Sequence, residues 1–185
     1  MRKLMVFNMM SLDGFIADSQ GDMSWARKHD QEWNAFSSQN ASGEAVLVFG
    51  RVTYDMMASY WPTPAAAEAS PETAKRMNEL QKIVFSRRTD RACWQNSTLL
   101  KGDLADEVRR LKAQSGADLV ILGSASLVRQ LAADRLIDGY QIAVNPVVLG
   151  GGKSMFANLQ HKMDLRLVDS RTFKNGNVFL SYQPA

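Results

Sequence analysis

Two short strings in the chain share one pattern. Residues 46–49 (Val-Leu-Val-Phe) run into Gly50, and residues 119–122 (Leu-Val-Ile-Leu) run into Gly123. Each pattern indicates a buried strand that ends at a glycine, with a helix beginning directly after it. At such a turn, free backbone N–H groups and the positive end of the helix dipole face the same point. Two of these turns side by side would form a site for a polyanion.

The residues after the second glycine suit a dinucleotide pyrophosphate. Glycine lets the chain approach phosphates closely, and the small Ser124, Ala125 and Ser126 add hydroxyl donors without bulk. Taken singly, either string favours an ordinary strand-to-helix turn of an α/β protein. As a pair, the two strings favour the phosphate site.

A third strand-like run is followed by a hydroxyl and a cation. Residues 82–85 (Lys-Ile-Val-Phe) precede Ser86 and Arg87. This pair could hold an additional phosphate, such as the ribose 2′-phosphate that distinguishes NADP from NAD. The alternative is a solvated basic turn that also contains Arg88 and Arg91.

The composition indicates one globular domain, residues 1–185. The 185 residues are 45% hydrophobic, and no linker-like segment divides them. The net charge of +3 is spread along the chain without a basic block, so we expect no nucleic-acid partner. No apolar run is long enough to span a membrane, and residues 1–8 become polar too early for a signal peptide, so we expect a cytoplasmic protein.

Potential metal ligands are scarce. The chain has a single cysteine, Cys93, and two histidines, His29 and His161. We therefore expect no bound metal and no internal disulfide.

The remaining elements predict a mostly parallel sheet with an antiparallel edge. Predicted strands are residues 3–10, 46–49, 82–85, 97–100, 119–122 and 139–144. Predicted helices cover residues 30–39 and 51–58, and others follow Pro71, begin at Asp103 and begin after Gly123. Residues 61–67 contain two prolines and are predicted to be irregular. A closing hairpin joins residues 165–168 to 178–182 through Asn175 and Gly176.

Ligands of such sheets bind beyond the carboxyl ends of the strands. On this assignment, six residues are expected to be neighbours there: Asn8, Ser11, Gly50, Ser86, Gly123 and Pro146.

Five motifs in order resemble one protein family. They are residues 11–17 (SLDGFIA), 49–54 (FGRVTY), 82–87 (KIVFSR), 123–127 (GSASL) and 146–152 (PVVLGGG). Together they resemble the reductase domain of bacterial riboflavin deaminase-reductase proteins, and most closely its stand-alone members, which are similar to dihydrofolate reductase. The resemblance covers nearly the whole chain.

This resemblance implies an NADPH-dependent reductase with a three-layer, dihydrofolate-reductase-like α/β fold, and a homodimer. The implied cofactor-binding residues are Ser11, Ile16, Ala17, Gly50, Arg51, Thr53, Ser86, Arg87, Gly123, Ser124, Ala125, Ser126 and Leu127. The implied substrate-binding residues are Asn8, Trp25, Met57, Trp61, Pro146 and Leu149. Ile16 and Ala17 would line the nicotinamide.

Two acids are candidate proton donors. Asp30 stands five residues after Trp25, which is the spacing of the pterin-binding acid in dihydrofolate reductases, and Trp33 matches an aromatic residue there. The alternative for Asp30 is an acid at a helix start, where the dipole favours one. Asp13 is the second candidate, although Asp before Gly usually bonds within its own turn.

The chain also departs from the resembling proteins. It lacks the His-x-Glu and Pro-Cys-x-x-Cys signature of zinc deaminases, which excludes deamination. The implied reaction is hydride transfer to a small heterocyclic or sugar-linked substrate, as in 5-amino-6-(5-phosphoribosylamino)uracil reduction. A dihydrofolate or pterin substrate is the alternative, although Met23-Ser24-Trp25 replaces the Leu-Pro-Trp of dihydrofolate reductases. A non-catalytic NADP(H)-binding module is a third possibility.

Overall fold

An eight-stranded sheet organises the chain, in a computed structural model that describes residues 1–26, 30–40 and 43–185. The strand order is β4-β3-β2-β5-β1-β6-β8-β7. The strands are β1 (Leu4–Ser11), β2 (Ala45–Gly50), β3 (Gln81–Phe85), β4 (Ser97–Leu100), β5 (Asp118–Leu122), β6 (Gly139–Asn145), β7 (Leu165–Thr172) and β8 (Val178–Pro184). The first six strands in this order are parallel to one another, and β8 pairs antiparallel with both β6 and β7.

Helices cover both faces of the sheet. They are α1 (Gln31–Asn40), α2 (Arg51–Tyr60), α3 (Pro64–Ala69), α4 (Pro71–Glu79), α5 (Leu104–Ala113) and α6 (Ala125–Ala133). Successive residues of a strand point to opposite faces. In β2, Val46 and Val48 accordingly pack with residues of α5 and α6, whereas Leu47 and Phe49 pack with residues of α2 and α4. This three-layer arrangement confirms the predicted fold class.

The closing hairpin is also confirmed, with longer strands than the sequence pattern predicted. Its turn is fixed by two backbone hydrogen bonds, from Gly176 N to Phe173 O and from Phe173 N to Asn177 O, both 2.9 Å long. Gly176 has a φ of +87°, which is a backbone conformation that residues with a side chain rarely adopt. The signal at Asn175-Gly176 therefore located the turn correctly.

The prediction that residues 61–67 are irregular is wrong from Pro64 onward, where α3 begins. Proline is tolerated at the first position of a helix because its missing N–H would have no intrahelical partner there. The Thr63 side chain accepts a hydrogen bond from Ala66 N and caps this helix. The second proline therefore starts a helix rather than interrupting one.

Two kinds of feature are absent from the described residues. None of their helices combines the length and apolar character needed to cross a bilayer. Among the same residues, no group of three or more His, Cys, Asp and Glu side chains could hold a metal ion. His29 lies outside the described residues.

Candidate functional site

The sheet brings the two glycine turns together. Strands β2 and β5 are parallel neighbours, with Val46 opposite Leu119 and Val48 opposite Ile121. Their carboxyl ends therefore reach the same edge, and Gly50 N donates a hydrogen bond of 3.0 Å to Ser124 Oγ. The N-termini of α2 and α6 lie side by side, as the sequence predicted.

The turn before α6 has an unusual backbone. Gly123 has a φ of +61° and Ser124 has a φ of +53°, so the backbone of both residues adopts the left-handed conformation. A Cβ atom at Gly123 would lie 2.9 Å from Thr53 Cγ2, which is closer than two non-bonded carbon atoms approach in proteins. Position 123 therefore requires glycine for two reasons, its conformation and its contact with α2.

Internal hydrogen bonds occupy several of the N–H groups that the sequence assigned to a ligand. Besides Gly50 N, Gly123 N donates to Asn8 Oδ1 at 2.6 Å and Ser124 N donates to Thr53 Oγ1 at 3.1 Å. Neither Gly50 nor Ser124 caps its helix with a side chain. The N–H groups left for a ligand are therefore those of the first turns of α2 and α6, which include the predicted Arg51, Ala125 and Ser126.

A cleft of about 1310 Å³ opens over these two helix ends. Ligand pockets usually measure about 300–1,000 Å³, so this one has room for more than one small molecule. Most of the predicted cofactor residues line it: Ile16, Ala17, Gly50, Arg51, Thr53, Ser86, Arg87, Gly123, Ser124, Ala125, Ser126 and Leu127. Three predicted substrate residues line it too: Asn8, Met57 and Trp61.

Positive charge dominates the lining of the cleft. The cationic residues there are Arg51, Arg87, Arg88, Arg129 and Lys153. Asp103 is the one acidic residue among the described lining residues, and its carboxylate accepts hydrogen bonds from Ala105 N and Asp106 N at the start of α5. The cleft therefore attracts anions.

Three of those cations were not predicted as site residues. Arg129 follows Ala125 by four positions, which places both on one face of α6, so helical spacing could have identified it. Arg88 was named only in the alternative for the segment after β3, a solvated basic turn. Lys153 lies on a loop that only the folded chain brings to the cleft, and no sequence signal marked it.

Apolar side chains line another part of the cleft, over β5 and β1. Leu122 pairs with Phe7 across these strands, and both are half-buried and line the cleft. Met57 and Trp61 pack in the same apolar cluster as Leu122 and also line the cleft, at the end of α2, where Trp61 Nε1 contacts Met57 Sδ at 3.1 Å. Flat apolar walls of this kind suit an aromatic ring.

Residues 15–17 form a short strap at the edge of the cleft. The Ile16 N–H donates to Lys153 O at 2.9 Å, and Lys153 N–H donates to Ala17 O at 2.8 Å. Gly152 precedes this pairing with a φ of +149°, and a Cβ atom there would overlap the Ala17 carbonyl oxygen. The position of Ile16 and Ala17 therefore depends on a glycine at 152.

Two other predicted residues, Ser11 and Asp13, hold a loop outside the lining of the cleft. The Ser11 hydroxyl donates to Asp13 at 2.7 Å, and Leu149 N and Gly150 N also donate to the Asp13 carboxylate. These bonds, that from Ser11 foremost, lower the pKa of Asp13 below its ordinary value. An ionised carboxylate is a poor proton donor, and the geometry gives Asp13 an anchoring role.

The remaining predicted residues also lie outside the lining. The Asp30 carboxylate accepts a hydrogen bond of 2.7 Å from Trp33 N, as expected of an acid at a helix start. Trp25 Nε1 donates to Asp22 O, Pro146 is exposed beside Gly176, and the Leu149 side chain is half-buried. The structure does not bring these residues to the cleft, and their functional roles stay predictions.

With this geometry established, comparison with known proteins identifies the family. The family model described as the RibD C-terminal domain matches residues 2–179. The chain belongs to the RibD C-terminal domain family. Among curated relatives, the uncharacterized protein YyaP of Bacillus subtilis (strain 168) is 29% identical over 182 residues, which are 98% of this chain and 94% of YyaP.

Solved structures share the RibD C-terminal fold. A protein assigned to riboflavin biosynthesis from Shewanella sp. PV-4 has a TM-score of 0.74 at 22% identity, covering 99% of both chains. Another similar structure is that of a diaminohydroxyphosphoribosylaminopyrimidine deaminase/5-amino-6-(5-phosphoribosylamino)uracil reductase from Thermotoga maritima. Its TM-score is 0.67 at 17% identity, and the match covers all of this chain and 57% of the Thermotoga maritima chain. The resemblance inferred from the motifs and the dihydrofolate-reductase-like fold are thus confirmed.

Proposed function

We propose that this protein is an NADPH-dependent reductase acting on a small heterocyclic or sugar-linked substrate. The observation that carries the proposal is the pair of helix N-termini, α2 and α6, side by side in a cationic cleft without side-chain caps. Uncapped helix ends bind phosphate oxygens through backbone N–H groups and the helix dipole. A diphosphate placed between them would receive donors from both helices.

The span of the cleft supports the binding of an extended dinucleotide. Ser86 follows β3 and Phe7 lies on β1, and the strand order puts three gaps between them, about 14 Å in all. In the proposed arrangement, Arg87 binds the 2′-phosphate beyond β3, while Arg51 and the first turn of α6 hold the diphosphate. Ile16 and Ala17 would line the nicotinamide. When bound there, NADPH supplies a hydride.

The apolar walls would then align the substrate and exclude water. The family and the reductase named in the Thermotoga maritima protein support a compound like 5-amino-6-(5-phosphoribosylamino)uracil. The half-buried Phe7 and the Met57–Trp61 pair would equally accept the ring of a pterin. Both substrates are flat heterocycles, and the proposal retains both.

One observation favours a second candidate, a non-catalytic NADP(H)-binding module. Of the described residues that line the cleft, Asp103 is the one with a carboxylic acid, and it caps α5. A reductase with this lining must take its proton from another group, such as the Lys153 ammonium, from water or from the substrate itself.

A direct assay separates the two candidates. We expect NADPH to bind with enhanced nicotinamide fluorescence, and to be oxidised in the presence of aminouracils or dihydropterins. Binding with no oxidation across that panel would favour the module. Absence of NADPH binding would contradict both.

Replacing Arg87 by alanine tests the assigned 2′-phosphate contact. We expect the affinity for NADPH to fall by about tenfold or more, because a charge-assisted hydrogen bond contributes roughly 1.5–3 kcal/mol. The affinity for NADH should change little. Arg91→Ala is the matched control, since Arg91 belongs to the same basic turn but does not line the cleft. Equal losses of NADPH and NADH binding in Arg87→Ala would remove the assignment.

We also propose a cytoplasmic homodimer. Strand β7 ends the sheet, and residues 166–172 are all exposed, so its backbone could pair with another chain. Light scattering coupled to size-exclusion chromatography measures the oligomeric state.

A further inference from the structure

We propose that Asn8 is a positioning residue that keeps the N-terminus of α6 open for phosphate. The inference rests on the proposed NADPH site. In this role, Asn8 holds the Gly123 peptide in a left-handed turn, and the turn directs the Ser124 hydroxyl away from its own helix. The first N–H groups of α6 are thereby left to the ligand.

The side-chain amide of Asn8 is fully engaged. Its Oδ1 accepts from Gly123 N at 2.6 Å, and its Nδ2 donates to Gly123 O at 3.3 Å and contacts Met155 Sδ at 3.1 Å. Asn8 is only 4% exposed, although it lines the cleft. Because both N–H groups and the oxygen are occupied, the geometry favours positioning over the substrate contact implied by the family resemblance.

The conformation that Asn8 fixes is one that serine disfavours. Ser124 has φ +53° and ψ +49°, and non-glycine residues persist in this region only where their surroundings hold them there. Two further bonds help, from Ser124 N to Thr53 Oγ1 and from Gly50 N to Ser124 Oγ. Asn8 acts one residue earlier, on both polar atoms of the Gly123 backbone.

The consequence concerns helix capping. A serine at this position ordinarily accepts a hydrogen bond from the first turn of its own helix. Here the Ser124 hydroxyl donates to Leu122 O at 3.2 Å and accepts from Gly50 N, and it makes no cap bond. The turn therefore leaves the first N–H groups of α6 uncapped for an anion, and it holds the N-terminus of α6 beside that of α2.

The test compares two ligands in one variant. NADPH contains the diphosphate, whereas 2′-AMP lacks it and would occupy the Ser86–Arg87 end of the cleft. In Asn8→Ala, we expect the dissociation constant of NADPH to rise tenfold or more and that of 2′-AMP to change less than twofold. A general loss of folded protein would weaken both ligands alike, so the ratio reports positioning.

Asn145→Ala is the matched control. Asn145 is a buried asparagine at the end of β6, next to β1, whose amide donates to Ala143 O, and it does not line the cleft. Its substitution should leave the ratio of the two dissociation constants unchanged. If Asn8→Ala does not fold, Asn8→Leu keeps the side-chain volume, removes both bonds to Gly123 and should change the ratio in the same direction.

The outcomes separate the inference from the proposed function. If the unmodified protein does not bind NADPH, the proposed function fails, and this inference fails with it. If it binds NADPH but the ratio stays within twofold in Asn8→Ala or Asn8→Leu, only the positioning role is overturned. The same holds if Asn145→Ala changes the ratio as much as Asn8→Ala does.

Discussion

Replacing Ser126 by glutamate should reduce NADPH affinity about a hundredfold or more while the protein stays folded. Ser126 is exposed, lies in the first turn of α6 and lines the cleft. A carboxylate there would interact favourably with the helix dipole, so the fold should not suffer. It would also take the N–H groups offered to the diphosphate and repel it. Like charges about 4 Å apart near a protein surface repel by roughly 4 kcal/mol. This is more free energy than a hundredfold loss of affinity requires.

Ser126→Gln is the matched control, because glutamine has the size of glutamate without its charge. We expect it to weaken NADPH binding by less than tenfold. Fluorescence titration gives both affinities, and thermal unfolding shows whether each variant is folded. If the glutamate and glutamine variants bind NADPH equally well, the diphosphate does not lie at the start of α6.

The position of the site could be predicted from the sequence because strands pair regularly in a β-sheet. Residues 46–49 and 119–122 are continuous apolar runs, as expected of strands buried on both faces, and each ends on a glycine. Parallel neighbours end at the same edge, so their turns had to meet once β2 paired with β5. The prediction of an irregular segment failed at Pro64 because a proline can either start a helix or interrupt one, and the sequence around it did not distinguish these two roles.

The hydrogen bonds within the site could not be predicted in the same way. Asn8, Thr53 and Ser124 come from β1, α2 and the turn before α6, and no periodicity links them. Their hydrogen bonds occupy the N–H groups of Gly123 and Ser124, which are free when each strand-to-helix turn is considered by itself. Lys153 is a similar case, since its loop reaches the cleft only by pairing with residues 16 and 17. Contacts between distant segments decide these details.

Gly152→Ala should lower NADPH-dependent turnover about ten- to a hundredfold. An added Cβ atom would overlap the Ala17 carbonyl oxygen, and the φ of +149° disfavours any side chain. The strap must therefore shift, and Ile16 and Ala17 move with it. Misplacing a reacting group by about 1 Å can cost a hundredfold in rate. Turnover of the best acceptor from the aminouracil and dihydropterin panel measures the effect.

The phosphate-binding part of the cleft should not respond to this change, because it is built on other elements, α2, α6 and the end of β3. We therefore expect 2′-AMP to bind Gly152→Ala within twofold of its normal affinity. Gly151→Ala is the control, since a Cβ atom there has no described heavy atom within 4 Å. It should keep normal turnover. If Gly152→Ala also turns over normally, the strap does not position the nicotinamide, and Ile16 and Ala17 lose their assigned role.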